Sequence, residues 1–306
     1  MFGKKIKEIK KRGYSAIPYN RFFPFRIVYE NGLLQNIRDY SIVYRTENMD
    51  IPKFGEILKN DFSSLQIVID SDGYFIIPTI QDNRKNKKGE IFSVIENLKN
   101  DIPGTQLDRT KYLKQIQQYL NKEGGTVNSV NDIVNPKIRA NINHVVCCNS
   151  YYRTLYLRFI PEKVDSGFLK KVLNMPESLV SIHIKHANIE VSELQELHNI
   201  EYKRAASSMK IIEKNLQEGV LYFYVGVYIM LSSGDFEKLD KKTNELLRGC
   251  PSIIDTATHN QEEGIISVLP FGTDKLQILT LISEKELYSL LPNLKGGCIN
   301  ELEHIY

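Results

Sequence analysis

Residues Val220–Leu231 read "VLYFYVGVYIML", a run without a charged side chain. Such a stretch either crosses a bilayer or forms a strand covered on both faces. It falls well short of the ~20 residues a membrane-spanning helix needs, and its Val, Ile, Tyr and Phe favour an extended backbone. It is therefore read as a buried central strand, and the chain as carrying no transmembrane helix of its own. Directly after it, Asp235 or Ser233 is placed to cap a helix that carries Phe236, Leu239, Leu246 and Leu247 and ends at Gly249.

The sequence on either side keeps this rhythm. "RTLYLRFIP" (Arg153 to Pro161) alternates, with Leu155, Leu157 and Phe159 on one face and Tyr156 and Arg158 on the other. A short helix is expected at Ser166 to Leu173, followed by the strand "LVSIHIKH" with Val180, Ile182 and Ile184 facing inward. A long helix is expected from about Val191 to Glu218, its apolar stripe made by Leu194, Leu197, Ile200, Ala205, Ile212 and Leu216. Strands near Ile253 and Ile265 complete the set. Strands alternating with helices about a fully apolar centre predict an α+β fold. Its mixed or antiparallel sheets would have helices packed on one face, and residues 144–275 would be ferredoxin-like.

The first half reads as a separate α+β unit over residues 14–121. "FRIVYENGLLQN" turns at Glu30-Asn31-Gly32, and Tyr40 to Thr46 reads as a further strand. Pro52 suits the first turn of a helix over "IPKFGEILKND". "LQIVIDSDGYFIIP" is a hairpin joined around Asp72-Gly73. Helices are expected at Glu90 to Lys99 and Asp108 to Lys122. Residues 122–143 lack periodicity and read as a linker; residues 1–13 form a basic leading segment and 276–306 a closing segment.

The chain has 306 residues, 42% hydrophobic and 25% charged, which is a globular balance and excludes a disordered chain. Cys147, Cys148, Cys250 and Cys298 contain no C-x-x-C pair, and the adjacent two are poorly placed to face one partner. With no secretory signal at the start, reduced thiols in a cytosol are expected. Charge is unevenly spread: residues 1–26 carry a net +7 against +3 for the whole chain. The basic residues Lys4, Lys5, Lys7, Lys10, Lys11 and Arg12 suit an anionic partner, either a membrane surface or nucleic acid, or else a solvated terminus. Phe2, Ile6 and Ile9, at helical spacing among them, favour the membrane surface.

Motifs that could carry chemistry have simpler readings. His183 and His186 are three apart on a strand, so they point to opposite faces and do not share an ion. Asp70-Ser71-Asp72-Gly73 resembles the start of a calcium loop, but Tyr74 stands at the fifth position and Gln81 at the twelfth, and a hairpin turn accounts for it. Neither G-x-S-x-G nor G-x-x-x-x-G-K-[ST] occurs. In "QEEGIISVLPFG" (Gln261 to Gly272), Glu262 and Glu263 are neighbours that diverge on an extended backbone, so the pair reads as a polar lead into a strand at Ile265 to Leu269. No catalytic residue, metal ligand or cofactor is expected.

From about Tyr151 to Leu276 the chain resembles the N-terminal region of the type IV secretion and conjugative-transfer ATPases (the CagE/TrbE family). The resemblance is carried in order by "YLRFIP", "SGFLKKVLNMP", "LVSIHI", "EYKRAASSMKIIEKNLQEG", "LYFYVGVYIMLSSGDFEKLDKKTNELL" and "QEEGIISVLPFG". Residues Leu279 to Gly297 resemble the lead-in to the family's motor domain. That motor domain carries the ATP-binding and hydrolysing motifs, which this sequence lacks, so no catalytic residue is implied here. The resemblance implies a non-catalytic docking portion, either a piece of a longer ATPase or a stand-alone protein. Its partners would be other secretion-channel components at the cytoplasmic face of the membrane, with a second copy of the chain as a further partner. The alternative is a nucleic-acid-binding accessory of a mobile element, with the basic residues joined by Tyr14, Tyr19, Phe22, Phe23 and Phe25 as stacking surfaces.

Overall fold

The computed structural model describes residues 14–16, 23–49, 51–60, 62–81, 98, 101–120, 138–160, 166–187, 203–250 and 253–291. The first half contributes β1 (Tyr14–Ala16), β2 (Ile27–Tyr29), β3 (Leu34–Asn36), β4 (Asp39–Ser41), β5 (Tyr44–Thr46), α1 (Ile51–Leu58), β6 (Ser64–Asp70), β7 (Gly73–Gln81), β8 (Thr105–Gln106) and α2 (Arg109–Leu120). The second contributes β9 (Ile138–Ala140), β10 (Val145–Cys147), β11 (Ser150–Leu157), α3 (Ser166–Leu173), β12 (Ser178–His186), α4 (Lys203–Gln217) and β13 (Tyr222–Ser233). It continues with α5 (Phe236–Gly249), β14 (Ile254–Thr256), α6 (Gln261–Val268), β15 (Thr280–Ser283) and α7 (Glu284–Leu290).

The run that opens the sequence reading is the longest of these strands. Apart from exposed Tyr224, every residue of β13 is buried. The reason is its place in the sheet. β12 lies along one side of it, while β11 and β15 share the other. Helices cover both faces, so apart from Tyr224 its side chains are kept from water. Antiparallel strands β14-β11-β13-β12 lie in the order of a ferredoxin-like unit, with α3 and α5 on the same face. Asp235 caps α5, its carboxylate accepting from the Glu237 and Lys238 N–H groups.

The sheet does not stop at this unit. β12 also pairs antiparallel with β6, placing Ile182 opposite Ile67 on one side and Val227 on the other. Through β6 the order runs on to β7, β4, β3, β2 and β1. The two halves read from sequence, residues 14–121 and 144–275, thus share one sheet. They share cores as well. On one face Ile67, Ile69, Val180, Ile182, Val227 and Ile229 pack under α1, α3, α5 and α7. On the other, Val68, Phe75, Ile77, Tyr152, Tyr228 and Met230 pack under α2 and α6. The helical layer expected on one face is therefore joined by a second layer on the opposite face. Each buried Ile, Val or Leu contributes ~1.5–3 kcal/mol, so the seam along β6 and β12 is a load shared by both halves.

Several local expectations hold. The β2–β3 turn, α1, the β6–β7 hairpin, α2, α3, β12 and α5 form where the sequence places them. Tyr40 to Thr46 is not one strand: the chain breaks at Ile42 and Val43, which are buried in opposite cores, and β4 and β5 then pair with different stretches of β7. The closing segment is also part of the sheet, since β15 pairs with the start of β13. The expected helix at Glu90 to Lys99 lies outside the described residues except for Leu98, as do the first part of the long helix before Lys203 and most of the 122–143 linker. Among the described residues no helix is long and apolar enough to cross a membrane.

Candidate functional site

"QEEGIISVLPFG" is a helix and a tight turn, not a lead into a strand. Residues Gln261–Val268 form α6, with Glu262 and Glu263 in its first turn beside the positive end of the helix dipole. The expectation of a strand at Ile265 to Leu269 failed because every residue from Gly264 to Phe271 is buried. A segment buried all round has no polar face, so its periodicity cannot separate helix from strand. Asn260 followed by two acids was the available signal for a helix start.

Polar side chains from the sheet hold this helix from beneath. The Gln261 amide replaces a strand neighbour: its Oε1 accepts from the Thr154 N–H (2.8 Å), and its Nε2 donates to the Thr154 and Ala257 carbonyls. At the other end Gln66 Nε2 donates to the carbonyls of Ser267 (3.1 Å) and Leu269 (2.9 Å), and Gln66 Oε1 accepts from the Gly272 N–H (2.7 Å). Ser181 Oγ (3.0 Å) and His183 Nε2 (2.6 Å) also donate to Ser267 O. These donors satisfy carbonyls that the last turn of any helix leaves without an intrahelical partner. Two glycines permit the close fit. A Cβ on Gly264 would lie 2.6 Å from Thr154 Cβ, and Gly272, at φ +67°, passes over Ser41 and Thr79.

His183 and His186 lie on opposite faces, as the strand period requires. His183 is fully buried beneath α6, while His186 stacks on Phe62 and Phe223 on the other side. Burial pushes the His183 pKa down, although Asp274 opposes the shift, so the imidazole is neutral and donates through Nε2. Tyr228, on the same face, donates to Asp274 and accepts from the Ile278 N–H, tying down the chain that follows α6.

A second polar cluster borders a cleft of about 510 Å³ at one end of the sheet, lined by Asp70, Tyr119, Glu177, Ser178, Met230 and Ser232 among others. Asp70, in the hairpin turn, accepts from Arg45 Nη2 (2.7 Å), from Tyr119 OH (2.6 Å) and from the Asp72 N–H (2.8 Å). The Arg45 guanidinium lies 4.2 Å above the Phe75 ring. Burial, then the Asp70 charge, push the Tyr119 hydroxyl far above its ordinary range, so it stays protonated and donates to Asp70. With three donors already on it, the Asp70 carboxylate joins β5, the β6–β7 turn and α2. Among the described residues no three His, Cys, Asp or Glu side chains converge as metal ligands would.

The basic residues Lys4, Lys5, Lys7, Lys10, Lys11 and Arg12 lie outside the described residues. Two of the aromatics assigned to nucleic-acid stacking do not serve that role. Phe23 and Phe25 are buried and pack edge-on against Phe271, because α2 and the turn after α6 leave an apolar hollow that they fill. Sequence reasoning missed Gln66, Gln261, Arg45 and Tyr119, since nothing local marks a glutamine or arginine whose partners lie far along the chain. Of the adjacent cysteines at the tip of the β10–β11 hairpin, Cys147 is buried in the core and Cys148 is exposed. No protein-family model matches the chain, and no curated protein matches it.

Proposed function

We propose that this chain is a non-catalytic assembly and docking portion of a type IV secretion or conjugative-transfer ATPase, a scaffold at the cytoplasmic face of the membrane. The observation that supports this reading is the use of polar groups in Gln261–Gly272, a segment central to the resemblance. Gln66, Ser181, His183 and Gln261 direct their donors and acceptors onto backbone groups of this segment and its neighbours. Side chains committed in this way make a stiff platform, and stiffness in the free protein lowers the ordering cost of binding another protein. The basic residues of the leading segment would add attraction to anionic headgroups, about 1 kcal/mol for each Lys or Arg near the surface.

The test uses the purified chain in three assays. Calorimetry with ATP is expected to show no binding, and micromolar binding accompanied by hydrolysis would overturn the proposal. Co-sedimentation with phosphatidylglycerol vesicles is expected, and it should weaken when Lys4, Lys5, Lys7, Lys10, Lys11 and Arg12 are replaced by glutamine, which leaves β1 and the buried Phe23 and Phe25 in place. Salt-dependent binding of single-stranded DNA that depends on the same residues, without vesicle binding, would favour a nucleic-acid accessory instead.

A further inference from the structure

We propose that the cleft bordered by Asp70 and Tyr119 docks an arginine side chain presented by a basic segment of a partner protein. The cleft exists because two strands part. The β6–β12 ladder ends where Ile69 faces Val180, and the chains that run on from it carry Asp72 on one side and Glu177 on the other. The gap, about 510 Å³, is lined by the buried apolar side chains of Leu173, Leu179 and Met230 and by half-buried Met175. Cavities of about 300–1,000 Å³ are the usual size for holding a ligand group. Glu177 is fixed at the rim: it takes the left-handed conformation at φ 62°, and its carbonyl accepts from the Ser232 N–H (3.2 Å) and Oγ (3.0 Å). Lys242, 3.9 Å from the Glu177 carboxylate, donates to the carbonyls of Pro176 and Ser232.

The lining selects its occupant by charge and by shape. Asp70, Asp72 and Glu177 line the cleft, and among the described residues no lysine, arginine or histidine does. Arg45 already pairs with Asp70, so Asp72 and Glu177, both exposed, set the charge of the mouth. Charge of this sign repels phosphates and carboxylates and attracts a cation. The apolar lining suits a cation on a hydrocarbon stem, which lysine and arginine both have. Acceptors decide between them. They are spread around the lining on Asp72, Glu177, Asn174, Gln115 and Gln118. A planar guanidinium with five diverging N–H donors reaches several of these at once, where a compact ammonium reaches fewer. Arg45 behaves in this way next to the same cleft, bonded to Asp70 at 2.7 Å and lying 4.2 Å from the centre of the Phe75 ring. The cleft would serve docking whether or not the chain is kin to an ATPase, so binding here is separable from the ATP and vesicle results.

The probe is a fluorescein-labelled nona-arginine peptide, titrated with the intact chain and followed by fluorescence anisotropy at about 0.1 M salt. Saturable binding is expected. Asp72→Asn together with Glu177→Gln should weaken it by about tenfold. Both side chains are exposed, so the fold is expected to survive, which circular dichroism checks. Glu237→Gln together with Glu245→Gln makes the same charge change at exposed positions of α5 and should leave the affinity unchanged. Nona-lysine is expected to bind several-fold more weakly than nona-arginine. Equal losses in the two double variants would reduce the binding to net charge and sink the proposal, as would equal affinity for the two peptides. Complete displacement of the probe by equimolar spermidine would assign the cleft to a free polyamine. Probe binding that appears only when Lys4, Lys5, Lys7, Lys10, Lys11 and Arg12 are replaced by glutamine would assign it to the chain's own leading segment. Either of these results overturns docking of a partner's arginine.

Discussion

Replacing Gln66 by Met tests whether the α6 platform is held by polar contacts across the sheet. The two side chains are of similar size, so the change removes hydrogen bonding more than volume. The Gly272 N–H would lose its acceptor, Gln66 Oε1 at 2.7 Å. A buried donor left alone costs ~1–3 kcal/mol. The Ser267 and Leu269 carbonyls would each lose one donor but keep others, from His183 and Ser181 and from the Phe271 N–H. Those two losses add ~0.5–1.5 kcal/mol each. Burying a thioether in place of an amide recovers part of this, leaving a net destabilisation of about 3 kcal/mol. With a urea m-value of ~3 kcal/mol/M, the unfolding midpoint should fall by ~1 M. The chain has no tryptophan, so unfolding is best followed by far-ultraviolet circular dichroism. Exposed Gln217→Met is the control and should stay within about 0.5 kcal/mol of wild type. If Gln66→Met shifts the midpoint no more than Gln217→Met, the cross-sheet grip is not what seats α6.

Three further outcomes are expected. Gly264→Ala, whose Cβ would overlap the Thr154 side chain, should destabilise by ~1–3 kcal/mol in the same assay; a neutral result would mean that α6 can move off the sheet freely. The pH dependence follows from His183. Its folded pKa lies below the unfolded value of about 6.5, so the unfolded chain binds the extra proton. The stability is full above that value and falls as pH drops below it, by up to ~1.4 kcal/mol per unit. His183→Gln, which keeps an N–H donor, should flatten the urea midpoint between pH 7.5 and 5, and an unchanged slope would exclude His183 as its source. Arg153 donates to half-exposed Asp240 and to Asn143 O, but its buried Nη2 has no partner. Arg153→Met should therefore be nearly neutral, whereas Asp240→Ala strands the guanidinium and should cost ~1–3 kcal/mol; equal effects in melting experiments would contradict this asymmetry.

What could be read along the chain was whatever short-range physics settles. The hairpin expected around Asp72-Gly73 forms, with Ser71 and Asp72 making the turn and Gly73, at φ 144°, opening β7. Asp235 opens α5 because a carboxylate there meets free N–H groups. The charge-free run at Val220–Leu231 had to be covered on both faces, and the opposed faces of His183 and His186 follow from the strand period. The α6 helix could not be read in this way, because complete burial erases the contrast between faces on which periodicity depends.

The sequence by itself determined the α+β class, the ferredoxin-like alternation of the second half and most of the local elements. Only the tertiary structure decided that β6 pairs with β12, that helices cover both faces, and that Gln66 reaches residues 267–272. The reason is physical. Strand edges bond through backbone groups that every residue shares, so pairing across more than a hundred residues leaves no local mark. A buried amide likewise shows its purpose only when its partners are folded around it.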